Sequence, residues 1–200
     1  MNRSISLILL VGIAAFSLAL TQSPDKKKAD MSVRGKYLVA VGDCNGCHTP
    51  PKYTPEGPVP DSSRFLSGYP ATAPVPDVPK DVIGPGKWVG LFSWDGTAFA
   101  GPWGVSFPRN LTPDTATGLG SWTPEMFIKA IRTGKDMGEG RDILPPMPWE
   151  TFGKMTDSDL KAIFAYLRTL KPVENPVPDP IGPTGERLPT AKGGKLPAKK

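Results

Sequence analysis

Ten prolines fall between Thr49 and Lys87, in TPPKYTPEGPVPDSSRFLSGYPATAPVPDVPKDVIGPGK. Proline fixes φ and carries no N–H, so this segment admits neither a long helix nor a central strand. It reads as a long loop running over the surface, and loops of that length in compact domains are often functional. The same chemistry marks the whole chain. Proline (25) and glycine (22) supply 47 of 200 residues, against an average of roughly 12%. Apolar periodicity nevertheless survives elsewhere, so the chain belongs to the globular class, with room for one domain plus appendages.

Three stretches carry helical signals. Val33, Tyr37, Leu38 and Val41 recur at helical spacing and predict a first helix over 32–42. Thr123 as N-cap, Pro124 in the first turn, the stripe Met126, Phe127, Ala130, Ile131 and the stop at Gly134 predict a second. Thr156-x-x-Asp159, followed by Leu160, Ile163, Phe164, Leu167 and Leu170 and ended by Pro172, predicts a third. Asp95-Gly96 between 91–94 and 97–100 is a hairpin signal. Together these predict a mostly α chain of three main helices with a long Pro/Gly-rich insertion and a short β-hairpin.

The two ends differ in composition from the middle. Residues 5–20 form an apolar run after Arg3, with Ser17-Leu18-Ala19 as a small-x-small site. The run falls short of the ~20 residues that span a bilayer, so 1–20 reads as an export signal, with an uncleaved anchor as the alternative. Lys26, Lys27 and Lys28 lie just beyond it, where the positive-inside rule would keep them in the cytoplasm. Residues 21–30 read as a polar linker, 31–172 as the main domain and 173–200 as a Pro-rich, basic, loosely attached tail. Four lysines lie in the last nine residues. No basic face with interleaved aromatics accompanies them, so nucleic-acid binding is excluded as a reading. Asn110-Leu111-Thr112 fits a glycosylation pattern and is read as chance.

All cysteine and histidine in the chain lies in Asp43-Cys44-Asn45-Gly46-Cys47-His48. Cys-x-x-Cys-His is the attachment motif for a c-type haem. Two thiols three positions apart at a helix end can each form a thioether with one vinyl group. The histidine that follows can then bind the iron. A structural zinc site needs four ligands, and this chain has three such residues, all adjacent. A thioredoxin-like dithiol belongs after a strand in a βαβ setting, and here the motif follows a predicted helix. Export and covalent haem support each other, because this attachment occurs outside the cytoplasm.

One histidine excludes bis-histidine ligation within the chain, and methionine is the other common axial ligand. Met1 belongs to the leader and Met31 lies too close to the motif. Met126 fits a helix stripe, and Met155 fits a hydrophobic staple onto Leu160. Met137, in a glycine-rich loop, and Met147, in Leu144-Pro145-Pro146-Met147-Pro148-Trp149, remain. The flanking prolines stiffen the backbone around Met147, which makes it the preferred ligand.

RGKYLVAVGDCNGCH and LPPMPWETFGKMTDSDLKAIFAYLRTL resemble the first helix, haem motif, methionine loop and last helix of a class I cytochrome c. NLTPDTATGLGSWTPEMFIKAIRTGKD resembles, more narrowly, the haem domains that accompany periplasmic dehydrogenases. The resemblance implies the class I fold around one haem c, with Cys44 and Cys47 as thioether sites, His48 as the proximal ligand and Met147 as the distal ligand. It also implies a helix crossing at Gly35 and Tyr166. Trp122 and, less directly, Arg109 become candidates to meet a haem propionate. His48 and Met147 are 99 positions apart, more than a small member needs. The excess is segment 49–108, a candidate for covering the haem edge, shielding a propionate or docking a partner.

The function expected is single-electron transfer by an exported, periplasmic mono-haem protein, with no catalytic residue of its own. Redox protein partners are implied, a dehydrogenase donor and/or an oxidase acceptor. Membrane association follows only if residues 1–20 stay attached. A haem enzyme or gas sensor with a labile or absent sixth ligand is the alternative. A disulfide-bonded binding protein without haem is the third reading.

Overall fold

The computed structural model describes residues 24–189; the segment expected to be an export signal and the last lysines lie outside them. Helix α1 spans Pro24–Val41 and the one-turn helix α2 spans Cys44–His48. Then come a hairpin of β1 (Pro51–Thr54) and β2 (Gly57–Pro60) and an antiparallel sheet β3–β4–β5 (Leu91–Phe92, Phe99–Gly101, Gly104–Ser106). Helices α3 (Pro124–Thr133), α4 (Trp149–Phe152) and α5 (Asp157–Leu167) complete the chain. Among the described residues no helix is long and apolar enough to cross a membrane.

The capped helices form as their sequences predict. Thr123 Oγ1 accepts from Met126 N (3.2 Å) and Gly134 ends α3 with φ +64°. Thr156 Oγ1 accepts from Asp159 N (3.1 Å) to start α5. The Asp95-Gly96 turn likewise joins β3 to β4, with Phe92 opposite Phe99.

Helix α1 departs from expectation twice. It begins at Pro24, so the segment expected to be a linker is helical from that residue. It also turns a different face inward. Val33, Tyr37 and Val41 are 71%, 58% and 66% exposed, whereas Gly35 and Val39 are buried. The reason is the crossing with α5. A Cβ on Gly35 would lie 1.9 Å from the Ala162 carbonyl oxygen and 2.8 Å from Tyr166 Cβ. The two backbones meet where only glycine fits, and that contact sets which face of α1 is covered. The expected Gly35–Tyr166 crossing is therefore present.

Two apolar clusters make the core. One joins Val39 of α1, Phe127 and Ile131 of α3 and Leu160, Ile163, Phe164 and Leu167 of α5 to Leu66, Leu119, Trp122 and Met137. The other joins Tyr69, Ala98, Ala100, Val105 and Phe107 to Val177 and Ile181. The insertion thus builds its own core; 49–121 contains no α-helix, as its prolines predict, and its small sheets make the chain less dominated by helix than the mostly α reading expected.

The expectation of a loosely attached tail is corrected for the described part. Asn175 is buried, donates through Nδ2 to the carbonyls of Ser67 (2.7 Å) and Tyr69 (2.8 Å), and accepts from Ala71 N (2.9 Å). Ile181 exchanges backbone bonds with Val105 (2.7 and 2.9 Å). Side-chain-to-backbone bonds hold this segment, and apolar periodicity does not register them. Asn110, in the glycosylation-like triplet, is fully buried and bonds Thr112, Thr117 and Val173.

Candidate cofactor site

Between the two clusters lies a cavity of about 360 Å³. Cys44, Cys47 and His48 line it, and so does Met147; Met137 does not. The remaining wall is mostly apolar: Leu111, Leu119, Phe127, Ile131, Leu160, Ile163 and Leu167 from the helical core, Phe99 and Phe107 from the insertion.

The motif end is held by the insertion. Asp43 turns the chain with φ +49° into α2, which ends at His48. Gly68 N donates to the His48 carbonyl (2.7 Å), and Leu66 N donates to Thr49 Oγ1 (2.8 Å). Gly68 itself, at φ +79°, has the Pro108 carbonyl 2.4 Å from where a Cβ would sit. The buried His48 ring lies with Nδ1 2.7 Å from the Arg109 carbonyl. A carbonyl only accepts, so Nδ1 carries the proton and Nε2 keeps the free lone pair. Burial lowers the His48 pKa, and the bond to Arg109 opposes that only in part. Nε2 is thereby left available as a ligand.

The thiols are less acidic than free cysteine. Burial first, then the charge of Asp43, pushes Cys44 up to about 11, and the same two causes raise Cys47. A redox dithiol needs the opposite shift. Among the described residues, no group of three or more His, Cys, Asp or Glu could hold a metal ion.

The Met147 loop is pinned at both ends. Ser106 Oγ of β5 donates to the Pro145 carbonyl (2.5 Å), and Trp149 N donates to the Met147 carbonyl (2.9 Å). The Trp149 ring sits where a side chain on Gly134 would be, 2.4 Å from its hypothetical Cβ. Met137, the other candidate, is packed into the helical core at 5% exposure. Met126 and Met155 also pack against that core.

One polar corner interrupts the apolar wall. Arg109 pairs with buried Asp136, and its guanidinium lies 4.9 Å from the Trp122 ring centre. Arg141 also faces the cavity. Among the described residues, Arg109 Nε and Asp136 Oδ2 are buried with no protein partner. Burial lowers the Arg109 pKa and Asp136 opposes it; guanidinium remains protonated. Arg109 thus serves twice, orienting His48 through its carbonyl and presenting charge through its side chain. Sequence reasoning proposed the second role but missed the first, since no local signal links positions 61 residues apart.

Two thiols, an imidazole nitrogen and a thioether around an apolar cavity form a donor set that fits a covalently attached haem. The unpartnered Arg109 Nε fits an acidic substituent at the polar corner.

No family model matches the chain. It is 28% identical over 174 residues to the fructose dehydrogenase cytochrome subunit of Gluconobacter japonicus, covering 86% of this chain and 28% of that protein. It is 31% identical over 185 residues to the cytochrome c subunit of the quinone alcohol dehydrogenase of Komagataeibacter europaeus, covering 88% of this chain and 31% of that protein. The gluconate 2-dehydrogenase cytochrome c subunit of Pantoea cypripedii is 27% identical over 166 residues, covering 83% of this chain and 28% of that protein. The chain therefore spans about a third of the length of these curated relatives, or less. It is related to the cytochrome c subunits of bacterial dehydrogenases.

Proposed function

We propose that the protein is an exported mono-haem cytochrome c that passes single electrons from a periplasmic dehydrogenase to a further redox partner, with the class I cytochrome fold around its cavity. The observation that carries this reading is the convergence of Cys44, Cys47, His48 and Met147 on one cavity. A haem c held there supplies a one-electron iron centre. Cys44 and Cys47 hold it covalently. His48 would offer Nε2 as a ligand, with its ring fixed through Nδ1 by Arg109. Met147, which lines the same cavity, would offer its thioether as the second ligand. Held by these four residues, the group would supply electron transfer alone, and the chain's residues would orient, bury and insulate it. The apolar wall excludes water and favours the less charged redox state, and a methionine ligand raises the potential further. Arg109 and Arg141 at the polar corner would receive acidic substituents.

The test is expression in a host that exports and matures c-type cytochromes. The purified chain should keep its haem through denaturation and acid extraction, and Cys44→Ser/Cys47→Ser should lose it. A wild-type chain that exports without covalent haem would discard the reading.

A further inference from the structure

Between Trp88 and Trp94 the insertion leaves four large apolar side chains uncovered. Trp88, Phe92 and Trp94 are 69%, 73% and 89% exposed, and Val89 is 79% exposed. The other three tryptophans are buried or half-buried. Strand alternation explains the position. Leu91 packs against the insertion's own core, so Phe92 points the other way. Directly opposed residues of paired strands share a face. Phe92 opposes Phe99, and their rings meet edge to face at 5.1 Å and 88°. Phe99 is buried and lines the cavity. Two aromatic rings therefore lead from the surface to the cavity wall.

The patch is also free of charge. No charged residue occurs from Trp88 to Trp94. The carboxylate of Asp95 turns back to accept from Ser93 Oγ (2.5 Å) and Thr97 N (3.0 Å). At 150–250 Å² per aromatic side chain, these exposures leave roughly 600 Å² of apolar surface. That equals one partner's share of a short-lived electron-transfer interface, whose total is under about 1,200 Å².

We propose that this patch is the docking surface for the redox protein that donates electrons to the cavity, and that the partner presents an uncharged, apolar face to it. The proposal rests on the electron-transfer reading and names where its partner binds. Charge complementarity argues for the same occupant. A basic chain that docked through lysines would place them here, and in this stretch of sequence only Lys87 adjoins Trp88 to Trp94. A lipid surface fits less well: binding to anionic headgroups needs clustered Lys or Arg, and the ring contact to the cavity wall has no use there.

The experiment uses the haem-loaded chain, Trp88→Ser/Trp94→Ser, the single Trp94→Ser, and Tyr37→Ser as a control on the exposed face of α1. Reduction is followed by stopped flow with two donors: ascorbate, and Gluconobacter japonicus fructose dehydrogenase freed of its own cytochrome subunit. The double variant should be reduced by the dehydrogenase about tenfold more slowly, the loss of one strong contact residue. Trp94→Ser should fall between, and Tyr37→Ser should match wild type. Ascorbate should reduce all four alike, and salt should barely change the wild-type rate. Equal dehydrogenase rates in the double variant and wild type would overturn the proposal. So would a wild type that ascorbate reduces and the dehydrogenase does not. Patch-dependent binding to phosphatidylglycerol vesicles, with dehydrogenase rates unchanged, would overturn it in favour of a membrane. A wild type without haem would overturn the electron-transfer reading itself, and this proposal with it.

Discussion

Gly35→Ala tests the crossing that sets the width of the cavity. Helix α1 leads into the Cys44–His48 turn, and α5 supplies Leu160, Ile163 and Leu167 to the cavity wall. The new methyl would lie 1.9 Å from the Ala162 carbonyl oxygen, 2.5 Å from its carbon and 2.8 Å from Tyr166 Cβ. Two of those atoms are backbone and have no rotamer to escape by, so a helix must shift. On helix propensity alone, alanine for glycine inside a helix stabilises by about 1 kcal/mol. Overpacking a tight contact costs about 1–3 kcal/mol, occasionally more, and this contact is severe enough to sit at or above the top of that range. The net expectation is a loss of about 2 kcal/mol, or about 4–8 °C in Tm for a domain of this size. Urea titration followed by tryptophan fluorescence reads it, with Lys36→Ala on the exposed side as control. A Gly35→Ala chain as stable as wild type, or more stable, would refute the crossing.

Two further outcomes follow from the same geometry. Asn175→Ala removes three buried hydrogen bonds and orphans the carbonyls of Ser67 and Tyr69 and the N–H of Ala71. At about 1–3 kcal/mol per orphaned group, partly relieved by water, a loss of about 3 kcal/mol is expected in urea titration; a loss below about 0.5 kcal/mol would mean the tail is not docked. The lowered pKa of His48 makes the haem-free chain sensitive to acid. Between its folded value and 6.5 the unfolded chain binds a proton that the folded chain refuses, so stability should rise with pH up to about 6.5 and fall below it. His48 is the only histidine; urea midpoints at about pH 5.5 and 7.5 should therefore differ in the wild type and converge in His48→Gln.

What the sequence made legible was local. Thr123, Gly134 and Thr156 act on their own helix ends, so their signals survive without tertiary context. The motif Cys44–His48 carries its chemistry in five consecutive positions. What was not legible depended on distant partners. The apolar spacing of Val33, Tyr37 and Val41 was real, but the Gly35 contact with Ala162 decided which face was buried, and periodicity gives glycine no weight. The β1–β2 hairpin was hidden among prolines because each strand of a two-stranded ribbon has a free edge where a missing N–H costs nothing. The tail looked detached because Asn175, a backbone pairing at Ile181 and two isolated apolar contacts hold it, none of which has a period. The insertion, whose role the sequence left open, covers one side of the cavity with Phe99 and Phe107, fixes His48 through Gly68 and Arg109, and carries the exposed aromatic patch outward.

The central claim is that Met147, and not Met137, faces His48 across a bound haem. The most direct measurement is the sulfur-to-iron absorption band of the oxidised protein in Met147→Ala and Met137→Ala. The band should vanish in Met147→Ala and persist in Met137→Ala, whose methionine is packed in the helical core away from the cavity. Loss of the band in Met137→Ala with retention in Met147→Ala would contradict the account.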